Sequence, residues 1–173
     1  MRVLVENSRP DIRTADVIER LTDALDLIAQ YQPIRFRHLQ RDVEWIWIVR
    51  YPCRGAYSPA HRACITELTF LARRDISAAV VASSILHEGV HARADRFRVH
   101  VGAPHREEDL PREERLCRNA ELTFGRALPA ELGAPVVQRA LETLSLGDAD
   151  VAPTIDWNVA RARINAVDKE ELR

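Results

Sequence analysis

The chain has 173 residues, 46% hydrophobic and 29% charged, with a formal net charge of −1. This profile fits one globular domain spanning residues 1–173 with a core of its own. It gives no basis for a nucleic-acid binder or a partner of anionic membranes. Lys169 is the single lysine among 25 basic residues, and the arginines are scattered rather than gathered into a stripe. Cys53, Cys64 and Cys117 have no CxxC spacing, so they read as small hydrophobes in a reducing compartment. The first apolar run, Val3 to Val5, is too short for a signal-peptide core. No run approaches the ~20 apolar residues of a membrane span, and the expected location is the cytoplasm.

Val3 to Val5 can begin a short strand. From Thr14, a plausible N-cap, Val17, Ile18, Leu21, Ala24, Leu25 and Ile28 recur at helical spacing up to Pro33. Val43–Val49 is dense in β-branched and aromatic residues, as a strand is, with Trp45 and Trp47 on one face and read as core. Gly55–Pro59 reads as a turn. Alternation over Cys64–Phe70 predicts a second strand, which can pair antiparallel with the first. Asp75 then caps a helix from Ile76 to about Phe97. A polar stretch, Gly102–Asp109, leads to a helix over Arg112–Ala127, closed by Pro129. Pro135–Leu146 and Asp156–Leu172 fit two further helices, separated by Gly147 and an Asp148–Asp150 loop. The order predicts an α+β domain, with an N-terminal helix and a short antiparallel or mixed sheet before the C-terminal helices.

The second predicted helix carries His87-Glu88-Gly89-Val90-His91, an HExxH motif. Residues four apart share a helical face, so both imidazoles can reach one metal ion. Glu88 is turned by about 100° from His87, off the metal and beside a water that the metal would activate. Gly89 costs ~1 kcal/mol relative to alanine inside a helix, which close packing, for example of a ligand helix, would offset. On the helix that follows, Glu114 and Glu121 are seven apart and share a face, whereas Glu113 falls off that stripe. Glu114, 23 residues after His91, is the favoured third ligand with Glu121 as a partner of a metal histidine; the reverse assignment stays open.

In this motif and its surroundings the chain resembles the zincin metallopeptidases. The match at the level of motifs covers Ile76–Pro129. The metzincin extension is absent, since Phe97 and Ala94 stand where its histidine and glycine belong. The thermolysin-like, or gluzincin, branch takes a glutamate from a following helix, and it places a carboxylate at the position of Asp95 that orients the second histidine. Arg118, four after Glu114, departs from that branch's pattern of an aspartate there. The segment Phe124–Pro129 is similar to the close of the ligand helix in ImmA/IrrE-type regulatory proteases. The resemblance implies one Zn2+ per chain, hydrolysis of a peptide or other amide bond, and a peptide or protein substrate. It also implies that the strand at Ala63–Phe70 is the edge strand beside the substrate. For the oxyanion, His105 in the polar loop is the first candidate donor, ahead of His100, Tyr57, Arg115 and Arg118. The competing expectation is a regulatory or structural metal-binding protein of the same shape, acting through a dedicated protein partner.

Overall fold

The computed structural model describes residues 1–104, 106–153 and 156–171. In chain order they form β1 (Arg2–Val5), α1 (Thr14–Tyr31), α2 (Pro33–Asp42), β2 (Trp45–Val49), β3 (Gly55–Ser58) and β4 (Ala63–Glu67). These are followed by α3 (Leu68–Ala72), α4 (Ala78–Val101), α5 (Leu110–Ala127), α6 (Ala130–Leu144), α7 (Asp148–Val151) and α8 (Trp157–Glu171). The domain is α+β, as its sequence predicts, and no helix of the described residues is long and apolar enough to cross a membrane.

The sheet runs in the order β1-β2-β4-β3 and is mixed. β2 and β4 are parallel, with Ile46 opposite Cys64, not antiparallel as expected. The reason is β3, hidden in the turn-like sequence Gly55–Pro59. The chain reverses once into β3 and again through a 3-10 turn at Pro59–His61, so β4 returns in the direction of β2. β4 is therefore an interior strand, and the edge strand beside it is β3, with β1 at the opposite edge. The strand also ends earlier than Phe70. The Glu67 carboxylate accepts the Phe70 backbone N–H at 2.7 Å, capping α3 and overriding the strand-like composition.

One face of the sheet carries the core. Ile46, Ile48 and Cys64 are buried with Val17, Leu21 and Ile28 of α1 and Ile85 of α4. The spacing 17, 21, 24, 28 keeps one stripe of α1 inward. Trp45 and Trp47 lie on the opposite face and are only half-buried; they are not core. The Arg2 guanidinium covers Trp45 at 5.2 Å and His61 leans on Trp47 at 4.8 Å.

Helix ends differ from the sequence reading in detail. Arg13, not Thr14, is the N-cap residue of α1. Ser77 takes that place in α4, while Asp75 pairs with Arg73. Pro33 stands at the first position of α2, where its missing N–H costs nothing. α6 starts at Ala130 and encloses Pro135. Asp148–Asp150 opens α7 instead of forming a plain loop. A Cβ on Gly89 would meet Leu39 Cδ1 at 2.9 Å, so the close neighbour there is α2 rather than the ligand helix. At the C-terminus Asp168 of α8 binds Arg50 at 2.8 Å and Arg9 at 3.2 Å.

Candidate metal centre

α4 is buried over its first three turns, through Ala79, Val81, Ala82, Ile85 and Leu86. This drives His87 and Glu88, each 7% exposed, below the surface. Polar groups so placed need partners, and α5 supplies them. Nδ1 of His87 meets Glu121 Oε1 at 2.7 Å, and Nδ1 of His91 meets Glu113 Oε1 at 2.7 Å. A carboxylate at Nδ1 accepts a proton-bearing nitrogen, which leaves the Nε2 lone pair of each ring free to act as a ligand.

The two Nε2 atoms lie 3.2 Å apart. Between them is Glu114, with Oε1 3.1 Å from His91 Nε2 and Oε2 3.3 Å from His87 Nε2. Ligand atoms bound tetrahedrally at ~2.0–2.1 Å from one zinc ion are about 3.3 Å apart, so the donor set fits such a metal. Cys117, one turn beyond Glu113 and fully buried, brings its thiol to the same place. The ligand atoms of His87, His91 and Cys117 all lie within 4.8 Å of one another, a group that can hold a metal ion.

The charges around this point are tightly coupled. Burial pulls both imidazoles down, but Glu114 and Glu121 hold His87 up, and Cys117, Glu113 and Glu114 do the same for His91. Burial pushes Glu114 up, and the two imidazoles outweigh it, keeping the carboxyl well below the usual range. Glu113 is lowered by His91 and by Arg98, which also binds it. Arg118 donates to Glu121 Oε1 at 2.6 Å. Each carboxylate behind a histidine is thus itself anchored by an arginine.

Glu88 lies between this cluster and β3. Burial raises its pKa, against the pull of the neighbouring imidazoles. A Cβ at Gly55 would stand 2.9 Å from Glu88 Oε1 and 3.1 Å from Ser84 Oγ. Glycine is required there because the edge strand passes directly over the carboxylate. Together these elements enclose a cleft of about 1090 Å³ with His87, Glu88, His91 and Glu114 at its floor.

The structure brings His87, His91, Glu114 and Glu121 together, with Glu114 facing both Nε2 atoms and Glu121 behind His87. Asp95 is elsewhere: it accepts the Tyr57 hydroxyl at 3.3 Å, and Glu113 occupies the Nδ1 side of His91. Glu113 is the residue the seven-residue stripe missed. The ridge Glu113-Cys117-Glu121, at i, i+4 and i+8, lies beside Glu114 on the same face. His105 lies outside the described residues. Of the other oxyanion candidates, Tyr57 and Arg118 line the cleft. Arg115 is bound to Leu144, Leu146 and Asp148, and His100 is exposed at the end of α4. Cys53 is half-buried beside the cleft, its thiol directed at the Gly55 carbonyl. No family model, curated protein or solved structure matches the chain.

Proposed function

We propose that this chain is a small zinc-dependent peptidase of the zincin type, hydrolysing a peptide or other amide bond in the cleft beneath β3. The observation that carries this reading is the paired orientation of the histidines. Each Nδ1 is engaged by a carboxylate, and both Nε2 atoms face Glu114 at the spacing of ligands on one small metal ion. His87, His91 and Glu114 would hold one Zn2+ per chain, an ion suited to imidazole and carboxylate donors at low coordination number. Bound there, zinc supplies Lewis acidity to a water molecule and to the scissile carbonyl.

The chain's own groups do the rest. An extended peptide aligned on the open edge of β3 finds main-chain hydrogen bonds there and passes over Glu88. Glu88 takes the proton of the attacking water and delivers it to the leaving amine. Of the donors considered from the sequence, Tyr57 and Arg118 line the cleft; Arg118 has N–H groups beyond the one given to Glu121 to offer the oxyanion, and Tyr57 would turn its hydroxyl there from Asp95.

Elemental analysis of tag-free protein beside His87→Ala tests the metal: about one zinc per chain is expected, lost in the variant. Glu88→Gln should keep its zinc and lose hydrolysis of a quenched-fluorescent peptide library by about 10²–10⁴-fold. Unchanged turnover in Glu88→Gln, or failure to take up zinc on reconstitution, refutes the reading.

The buried thiol of Cys117 favours a second reading, a closed four-ligand site with a structural or regulatory role. Cobalt substitution separates the two. A thiolate-to-cobalt charge-transfer band that disappears in Cys117→Ser supports the closed site, and its absence supports the open, hydrolytic one.

A further inference from the structure

Three arginines from separate parts of the chain line the cleft. Arg54 precedes β3, Arg118 belongs to α5 and Arg139 to α6. α5 and α6 form a helical hairpin that is pinched at two glycines: a Cβ on Gly133 would lie 2.1 Å from the Gly125 carbonyl oxygen. Arg118 is seven residues before Gly125 and Arg139 six after Gly133. On antiparallel helices this sets both about 9–11 Å from the crossing, at the same level.

Most arginines around the cleft and sheet have acidic partners: Arg98 has Glu113, Arg115 has Asp148, and Arg50 has Glu67 and Asp168. Arg54, Arg118 and Arg139 have only one acidic partner, Glu121, between them among the described residues. The half-buried Arg139 guanidinium has no hydrogen bond or ion pair among the described residues. Arg54 rests on the Phe70 ring at 5.4 Å. Arg118 spends one nitrogen on Glu121, and its Nε is buried without a partner. Burial, Arg54 and Arg118 together depress the Arg139 pKa, even against Glu121. Arg54 is exposed and Arg118 and Arg139 are partly buried; three neighbouring cations that share one internal carboxylate keep N–H groups free for a further anion.

We infer that Arg54, Arg118 and Arg139 form an anion-binding subsite that selects substrates with a carboxylate near the scissile bond, either an acidic side chain or a free C-terminus. The inference rests on the proposed peptidase reading for the word substrate, but binding itself needs no hydrolysis. Its place follows from Arg118: the carboxylate this arginine holds, Glu121, is the one behind His87. Planar, fork-shaped guanidinium groups are the natural receptors for a carboxylate.

The test is calorimetric binding of three short N-acetylated peptides to as-purified and chelator-treated protein. One is an alanine peptide amide with an internal glutamate, the second has glutamine in its place, and the third is an alanine peptide with a free C-terminal carboxylate. At least one carboxylate peptide should bind about tenfold or more tightly than the glutamine peptide, and which one gains identifies the source of the anion. Arg139→Gln and Arg54→Gln should each reduce that advantage, and Arg139→Lys should retain most of it. Equal affinities for all three peptides, or an advantage that persists in the Arg54→Gln/Arg139→Gln double variant, overturns the proposal. Loss of the metal reading would appear separately, as missing zinc, and would leave the preference in chelated protein intact.

Discussion

Replacing Glu113 tests the metal centre at the residue its sequence pattern hides. Glu113 is buried and bridges His91 and Arg98, accepting from His91 Nδ1 at 2.7 Å and pairing with the guanidinium. Glu113→Ala removes the acceptor that fixes the His91 ring and its tautomer, without touching a donor atom that faces the metal. Loss of such a partner typically costs 10–100-fold in metal affinity, or about 1.4–2.8 kcal/mol. Glu113→Gln should fall less far, since its amide oxygen can still accept the Nδ1 proton but offers no charge to Arg98. The assay is a competition titration of zinc against a chromophoric chelator, with thermal melts to confirm folding. Glu121→Ala should behave alike through His87. Wild-type zinc affinity in folded Glu113→Ala would refute the argument that Nδ1 contacts prepare the site.

Gly55→Ala should keep its zinc and lose at least about tenfold in peptide hydrolysis. The new Cβ displaces the Glu88 carboxylate or lifts the edge strand, and small displacements of a reacting group are costly; unimpaired turnover would show that Glu88 does not work from this position. Gly133→Ala drives a methyl into the Gly125 carbonyl and should destabilise the fold by about 1–3 kcal/mol, read as a lower Tm; an unchanged melt would contradict the pinch between α5 and α6. The docking of α8 depends on pH through Asp168. Arg50, followed by Arg9, holds the Asp168 carboxyl below its ordinary value of 3.8. A depressed folded-state pKa makes its stabilisation complete above that ordinary value and lost as pH falls through the folded one. Protonation of Asp168 should therefore leave hydrogen exchange of α8 unaffected above about pH 5 and accelerate it below about pH 4. Asp168→Asn should show the fast exchange already at pH 7.

What the sequence conceals in this chain has identifiable physical causes. The HExxH pair is legible because two side chains at i and i+4 need only a helix to converge, and Ile76–Leu86 is plainly apolar. Glu114 follows from its distance along the next helix. Glu113 is obscured by treating a helical face as a single line of sevens, although a face is wide enough for two adjacent ridges. β3 is missed because glycine, serine and proline usually punctuate chains, whereas here Gly55 makes room for Glu88 and Pro59 ends the strand. Once β3 is unseen, the direction of β4 inverts as well. α2 escapes because its ten residues include only two buried ones, Leu39 and Asp42, too few to show a period.

The donors that meet at the centre all come from α4 and α5, while the groups opposite them across the opening come from the loop and edge strand around Arg54 to Ser58. The cleft thus divides its labour between an anchoring wall and an admitting wall. Under the proposed peptidase reading, sequence change along residues 51–58 would alter what enters without loosening what is held, with Gly55 as the fixed point where the two walls touch. Related chains acting on other substrates would on that reading differ most along that strip and least along the ridge of carboxylates behind the histidines.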